Sequence, residues 1–208
     1  MSRAVVIFAR APEVEASVKK LPLPFARLFD RNTAAWLRAA SLAGATPVIS
    51  CAPYARARFD AIAPSIRRRY IDQSGATFGE RLASTAEAAF ALGFDEVLLA
   101  GIDAPPPRVA EVFAALRSAR AVVEPSNDGG INLIALRAPE RELLSAIRPR
   151  QRDVVERCRA YFASLVVLDV SSDIDSFAVG CWLLAETPRH VDLPPSRRRH
   201  FTRPPPAV

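Results

Sequence analysis

An apolar run that ends in a glycine and an acid lies near the middle of the chain: Val97-Leu98-Leu99-Ala100-Gly101-Ile102-Asp103. Consecutive apolar residues without alternation are typical of a strand buried on both faces of a sheet. Helical patterns flank the run over Phe78–Leu92 and Pro107–Ala119. An acid just past such a strand is expected to point into the crevice where open α/β sheets bind ligands.

The same alternation of short apolar runs and longer helical patterns continues along the chain, which predicts an α/β fold with a mainly parallel sheet and helices on both faces. A short connection near residue 128 permits an antiparallel return, so we expect a mixed sheet. The predicted strands are Ala4–Ala9, Thr46–Cys51, Arg69–Ile71, Glu96–Ala100, Ala121–Glu124, Ile131–Arg137 and Leu165–Asp169. The other predicted helices are Phe25–Ala43, Tyr54–Ala63, Arg152–Phe162 and Ser176–Ala185.

Composition predicts a single domain over residues 1–186 and a Pro- and Arg-rich disordered tail over residues 187–208. The net charge is +6, but the tail holds five Arg and one Asp and so supplies +4 of it. The remaining +2 on the body argues against specific nucleic-acid binding. The three Arg at 197–199 could bind RNA or an anionic surface, although such short basic tails usually bind nonspecifically.

The cysteines and histidines restrict the kinds of disulfide, metal site and catalytic site that the chain can form. The three cysteines lack disulfide or zinc spacing, which favours a reducing, cytoplasmic setting. No apolar stretch approaches a signal segment or a membrane span, so we expect an unexported protein without membrane contact. Both histidines, His190 and His200, fall in the tail, so the body cannot carry Ser-His-Asp or Cys-His chemistry.

Acids on three separate loops are the main functional clue. They are Asp103, Asp128 in the turn Asp128-Gly129-Gly130, and the pair Asp173 and Asp175. Carboxylates gathered in one crevice suggest Mg²⁺ or Mn²⁺ with a phosphorylated substrate, because hard oxygen ligands hold these cations. Each acid also has a structural interpretation: a helix or turn cap for Asp103, a hairpin turn for Asp128, and a solvated turn for the pair.

Candidate phosphate ligands follow the first predicted strand. Lys19 and Lys20 are the only lysines beside 26 arginines, and Arg10 lies closer to the strand end. Phosphates usually bind at this position in α/β folds, although a solvated loop explains adjacent lysines as well. Gly79 and Arg81 begin a predicted helix whose N-terminal amides could receive an anion, or they are ordinary surface residues of that helix.

Five segments together resemble the DUF2064 family, part of the GT-A-like nucleotide-diphospho-sugar transferase superfamily. In chain order they are Phe8-Ala9-Arg10-Ala11-Pro12, Phe78-Gly79-Glu80-Arg81-Leu82, Gly101-Ile102-Asp103-Ala104-Pro105, residues 128–136 beginning Asp128-Gly129-Gly130, and Asp173-Ile174-Asp175-Ser176. They correspond to the family patterns FAKAPxPGxVKTRL, GxxGERM, GSDCP, DGGYYLIGL and DVDTPEDL. The resemblance covers roughly residues 4–185.

The resemblance implies a single Rossmann-like GT-A type domain, a nucleotide-sugar or NTP donor, a small-molecule acceptor, and Mg²⁺ or Mn²⁺. It assigns Asp103 and Asp175, with Asp173, to the metal. Asp128 would position the acceptor or act as base. The phosphates would fall to Arg10, Lys19 or Lys20, with Gly79, Arg81, Gly129 and Gly130 around the donor.

The first pattern departs from the family. Aligned without gaps, Glu15 replaces the glycine, Val18 the lysine, Lys19 the threonine and Lys20 the arginine. A side chain in place of glycine can obstruct close approach of a phosphate to the backbone. Two hypotheses follow: a metal-dependent glycosyl- or nucleotidyltransferase that binds its donor differently, or a non-catalytic scaffold for nucleotide sensing or protein association.

Overall fold

One eight-stranded sheet organises the chain in the computed structural model, which describes residues 1–149, 151–171, 173–174 and 199–202. The strands are β1 (Arg3–Phe8), β2 (Thr46–Cys51), β3 (Arg69–Asp72), β4 (Glu96–Ala100), β5 (Ala121–Pro125), β6 (Ile131–Leu136), β7 (Ser164–Val167) and β8 (Arg199–Thr202). Their order across the sheet is β3-β2-β1-β4-β6-β5-β7-β8.

The sheet is mixed because β6 and β8 run antiparallel to the strands beside them. β1 pairs in parallel with β2 and β4, β2 with β3, and β5 with β7. β6 pairs antiparallel with both β4 and β5. Only the turn at residues 126–130 joins β5 to β6, too short for the crossover that a parallel pair requires. The start of β6 therefore meets the carboxyl ends of β1 and β4 at one edge.

Helices cover both faces of the sheet. They are α1 (Pro12–Val18), α2 (Ala26–Leu42), α3 (Arg56–Ile62), α4 (Phe78–Ala91), α5 (Val109–Leu116), α6 (Arg141–Ser145) and α7 (Val154–Tyr161). Residues of α1, α2, α3 and α5 belong to one apolar core, and residues of α4, α6 and α7 belong to the other. The predicted α/β fold with a mainly parallel mixed sheet and helices on both faces is confirmed.

Strands β4 and β5 are buried along their whole length, and β1 and β6 are buried except at their ends, which explains their apolar runs. All five residues of β4 are buried, including Glu96 at 0% exposure. Its carboxylate accepts hydrogen bonds from Arg3 at 2.9 Å and Arg137 at 3.3 Å. A buried charge is costly unless it is paired, so both arginines are needed for an acid at this position.

Two helices were missed by the sequence prediction. The segment after β1 was expected to be a loop, but Pro12–Val18 forms α1, with proline at its start and Glu13 and Glu15 in the first turn. Both features favour a helix start, because proline lacks only an unneeded donor and acids complement the helix dipole. The five-residue α6 was also not predicted.

Part of the expected tail is structured. Arg199–Thr202 forms β8, antiparallel to β7, where disorder was predicted, because backbone pairing with a sheet edge does not depend on an apolar composition. The predicted helix Ser176–Ala185 lies outside the described residues, as does most of the tail. In the described ranges, no helix has both the length and the apolar character needed to cross a membrane.

Candidate functional site

A cleft of about 860 Å³ lies at the edge where β1 and β4 end and β6 begins. Residues just after β1 and β4 line it, together with the start of β6, Arg81 of α4 and residues 147–149, 151 and 152. This is the position at which open α/β sheets bind ligands. Asp103, Asp128 and Asp173 all line the cleft, although they lie on three different loops.

Gly101 lets Asp103 fold back over the end of β4. A Cβ atom at residue 101 would collide with the Asp103 carboxylate. Two side chains of α2 fix the same loop: Asn32 donates to the carbonyl of Ile102 at 3.0 Å, and Trp36 donates to that of Ala104 at 2.9 Å. The carboxylate therefore belongs to a braced loop rather than to a mobile one.

The Asp103 backbone also brings the third acid into the cleft. Its carbonyl accepts a hydrogen bond from the N–H of Ile174 at 2.9 Å, and Ile174 is fully buried in the core on the α2 side. Asp173 thereby reaches the cleft. Asp175, the second expected metal ligand, lies outside the described residues.

Asp128 is held by its own turn. Its Oδ1 accepts hydrogen bonds from the Ser126 hydroxyl and from the N–H of Gly130, the latter at 2.9 Å. Burial raises the pKa of Asp128, but these hydrogen bonds and the charge of Lys19 outweigh it and lower the pKa below its ordinary value. A more acidic carboxyl is a weaker base, so this environment favours Asp128 as a positioning group.

The two turn glycines have different roles. Gly129 has a φ of +91°, and a Cβ there would lie 2.7 Å from the carbonyl oxygen of Arg152. Gly130 lines the cleft and donates its N–H to Asp128. The turn thus packs directly against the segment that carries Arg152.

The two lysines have different surroundings. Leu21 donates its backbone N–H to Ala16 at 2.8 Å, and Lys20 donates its own to Ser17 at 3.0 Å, which together form a Schellman motif at the end of α1. Lys20 has the left-handed φ of +55° that this motif requires. Its exposed side chain is not among the cleft-lining residues, contrary to its predicted phosphate role.

Lys19, in contrast, points into the cleft. Its Nζ lies 3.1 Å from Asp103 Oδ2, and the two side chains are 14% and 27% exposed. Arg10 also lines the cleft and pairs there with Glu15 at 3.0 Å. Each of these cations therefore has an acid beside it.

Glu13 does not add negative charge to the cleft. It turns away from it to Arg58, which donates to Glu13 at 2.7 Å and to both carboxylate oxygens of Asp30. Among the α1 acids, Glu15 alone lines the cleft.

The start of α4 contributes Phe78, Arg81 and Leu82 to the cleft. Thr77 and Glu80 form a reciprocal capping box, which lowers the pKa of Glu80, chiefly through the hydrogen bonds from the backbone N–H groups of Thr77 and Ala76. Gly79 is buried, and a Cβ there would lie 2.6 Å from the carbonyl oxygen of Ile147. Gly79 packs against the segment that follows α6 and is not among the cleft-lining residues, whereas Arg81 lines the cleft.

Sequence reasoning missed six polar residues that line the cleft: Gln73, Ser126, Asn132, Arg148, Gln151 and Arg152. Gln73 donates to the carbonyls of Ala9 at 3.2 Å and Ser50 at 2.8 Å. The available signal for the arginines was their recurrence at positions 148, 150 and 152, up to the start of the predicted helix Arg152–Phe162. Nothing in the sequence near Gln73 marked it.

The described side chains do not fit a divalent cation at Asp103. Mg²⁺ and Mn²⁺ need several oxygen ligands. Residues 1–149, 151–171, 173–174 and 199–202 contain no group of three or more His, Cys, Asp or Glu placed to hold a metal. The Asp103 carboxylate is instead occupied by the ammonium of Lys19.

A sequence comparison identifies a bacterial family. The model described as "Uncharacterized protein conserved in bacteria (DUF2064)" matches residues 35–149, which is more than half of the chain. No curated protein matches.

Solved structures share the fold. A protein of Desulfovibrio desulfuricans G20, provisionally named a nucleotide-diphospho-sugar transferase, superposes with a TM-score of 0.73 at 23% identity, over 92% of this chain and 90% of its own. Rv0371c of Mycobacterium tuberculosis H37Rv, solved with manganese, gives 0.58 at 15% identity over 90% and 100%.

A third structure is 4-diphosphocytidyl-2C-methyl-D-erythritol synthase of Anaerococcus prevotii DSM 20548, with a TM-score of 0.56 at 13% identity over 88% and 97%. At these identities the likenesses establish the fold, and they confirm the Rossmann-like, GT-A-like architecture that the sequence resemblance implied.

Proposed function

The chain belongs to the DUF2064 family, and from this premise we propose that it is a transferase that uses a nucleotide-activated donor, either a nucleotide sugar or an NTP. One observation carries the proposal: cations and carboxylates from distant parts of the chain converge on a single cleft at the ligand-binding edge of the sheet. The shared fold with the structures compared above supports the same class. The fold alone does not fix a reaction.

The donor's phosphates are assigned to the end of the cleft formed by Arg10 and Lys19. Both follow β1, and both side chains line the cleft. Guanidinium and ammonium groups bind phosphate oxygens through charge-assisted hydrogen bonds. Arg81, on the α4 side, adds a third cation for the same donor.

The acceptor is assigned to the Asp128 turn. The carboxylate is oriented by Ser126 and Gly130, and it stays ionised because its pKa is lowered. An ionised, oriented carboxylate can accept a hydrogen bond from an acceptor hydroxyl and align its oxygen.

Glycosyl and nucleotidyl transfer make the same demand on this cleft. The acceptor oxygen forms a bond to the donor's reacting carbon or phosphorus. The bond from that atom to the leaving phosphate oxygen breaks, and the leaving group keeps the electron pair. The acceptor's proton is released to water. Arg10 and Lys19 stabilise the negative charge that develops on the leaving group.

Calorimetry with UDP-, GDP- and ADP-sugars and with free NTPs tests the proposal, each with and without Mn²⁺ or Mg²⁺. We expect one base to bind, and Arg10→Ala to weaken that binding about tenfold, as expected for a lost charged hydrogen bond. Lys20→Asn is the matched control, because it removes a neighbouring charge outside the cleft and asparagine tolerates the left-handed φ.

Failure of every nucleotide to bind the folded protein would refute the transferase proposal. It would leave the non-catalytic scaffold, and specifically its protein-association form, as the better account.

Replacing Glu15 with Gln should strengthen nucleotide binding. Glu15 is the acid that neutralises Arg10 at the phosphate end of the cleft. Its removal frees the guanidinium and removes repulsion of the phosphates, so we expect a roughly threefold to tenfold lower Kd. The gain should shrink at high salt, and Glu13→Gln, whose carboxylate pairs with Arg58 instead, should leave the Kd unchanged. Weaker binding by Glu15→Gln would contradict the placement of the phosphates beside Arg10.

A further inference from the structure

We propose that the ammonium of Lys19 is the resident cation of this cleft and that it binds the donor's phosphates without a divalent metal. The inference rests on the proposed function, because it concerns how that donor is held. Its starting point is the disagreement between the expected metal site and the observed Lys19–Asp103 ion pair.

The position of Lys19 is built into the backbone. Lys19 is the C-cap of α1, and the Schellman motif at Lys20 and Leu21 ends the helix directly after it. Ala16 and Leu21, the first and last residues of the motif, are buried in the core on the α2 side. The helix end is therefore anchored, and the lysine is presented to the cleft by a rigid element.

Lys19 acts on more than one acid. Its Nζ is 3.1 Å from Asp103 Oδ2. Its charge also contributes to the lowered pKa of Asp128, after the effects of burial and of the hydrogen bonds from Ser126 and Gly130. One ammonium thus pairs with the Asp103 carboxylate and acts electrostatically on that of Asp128, and the two acids lie on loops that follow different strands.

A divalent cation and this ammonium would compete for the same position. A metal bound by Asp103 would have to displace Lys19 from Oδ2 or lie beside its positive charge, and like charges at such distances repel strongly. The ammonium already supplies what phosphates need from a metal, which is positive charge and directional contacts. Only 14% of the Lys19 side chain is exposed, so solvent screens this charge weakly.

The experiment compares the affinity for UDP, GDP and ADP in EDTA and in Mn²⁺, by calorimetry, for wild type, Lys19→Met, Lys19→Arg and Lys20→Asn. Wild type and Lys20→Asn should bind the preferred nucleotide with Kd values in EDTA and Mn²⁺ that agree within about twofold, because the charge that holds the phosphates belongs to the protein. Lys19→Met should lose about tenfold or more in EDTA. Lys19→Arg should retain most of the affinity in EDTA, because the charge is kept.

Direct Mn²⁺ binding, followed by electron paramagnetic resonance without nucleotide, gives a second readout. Wild type should bind Mn²⁺ weakly, and Lys19→Met should bind it more tightly because Asp103 is released. Thermal unfolding of each variant shows whether it is folded. If Lys19→Met does not fold, the affinity of Lys19→Arg in EDTA still tests the role of the charge.

The outcomes separate the two proposals. Nucleotide binding by wild type only with Mn²⁺ would overturn the role of Lys19 and leave the transferase proposal standing. Equal affinity of wild type and Lys19→Met in EDTA would overturn it as well. Absence of binding under every condition would overturn both.

Discussion

Replacing Gly79 with Ala should destabilise the protein by about 3 kcal/mol, although Gly→Ala within a helix normally stabilises by up to about 1 kcal/mol. Gly79 lies in the first turn of α4, where an added Cβ would collide with the backbone carbonyl of Ser145 and lie 2.6 Å from that of Ile147. A backbone carbonyl cannot relieve a clash by changing its rotamer as a side chain can, so α4 and α6 would have to move apart. The measurement is the free energy of unfolding in urea.

The same substitution should weaken nucleotide binding, because Ile147 and the residues after it line the cleft. Gly44→Ala is the control. Gly44 has a left-handed φ of +68° but nothing within 4 Å of an added Cβ, so it reports backbone strain without a collision, about 1–2 kcal/mol. A neutral or stabilising Gly79→Ala would show that the two helices are not in close contact.

Glu124→Gln should abolish most of a pH dependence in stability. Glu124, on β5, is 4% exposed, and its Oε1 accepts a hydrogen bond from Ser171. Its Oε2 is buried without a hydrogen-bond partner in the part of the chain that the structure describes. Burial raises the pKa of this carboxyl to about 7, against the smaller opposing effect of the Ser171 hydrogen bond. The folded protein therefore holds a proton that the unfolded chain has lost.

The sign follows from where each state binds the proton. The ordinary pKa of 4.5 describes the unfolded chain, and the folded value is about 7. Between these values the folded state binds more protons, so the free energy of unfolding falls as the pH rises, by on the order of 3 kcal/mol. Above pH 7 the loss is complete, and below pH 4.5 it is absent.

Urea denaturation of wild type and Glu124→Gln between pH 4.5 and 8 measures this effect. The neutral amide should leave the stability nearly flat across this window, making the variant the more stable protein at pH 8. Glu142→Gln, an exposed acid on α6, is the control and should keep the wild-type slope. Parallel slopes for wild type and Glu124→Gln would contradict the burial of a protonated carboxyl.

Burial on both faces explains which elements could be predicted from the sequence. β2 and β4 were predicted with their observed ends, because strands covered by helices on both sides are rich in apolar residues. α6 was missed because it has only five residues, too few to show a helical period. α1 was missed although its proline and its acids were visible signals.

The candidate site could likewise be predicted only in part. Asp103 and Asp128 could be placed at one sheet edge, because acids that follow strand ends in an α/β order must meet there. The different surroundings of Lys19 and Lys20 could not be predicted. The difference depends on one left-handed residue at the end of α1, which turns one lysine into the cleft and leaves the other exposed.

Most of the strands and helices, the edge at which the acids gather and the cations available to them are therefore properties of the linear chain, because local apolar patterns and strand-end positions encode them. The pairing of those charges is not a property of the linear chain. Lys19 meets Asp103 across 84 residues of sequence, Glu15 neutralises Arg10, and Glu13 turns away to Arg58. Side-chain directions and the distances between residues far apart in sequence are fixed only when the helices pack on the sheet. They determine whether the cation beside the cleft acids is a metal ion or the ammonium of Lys19.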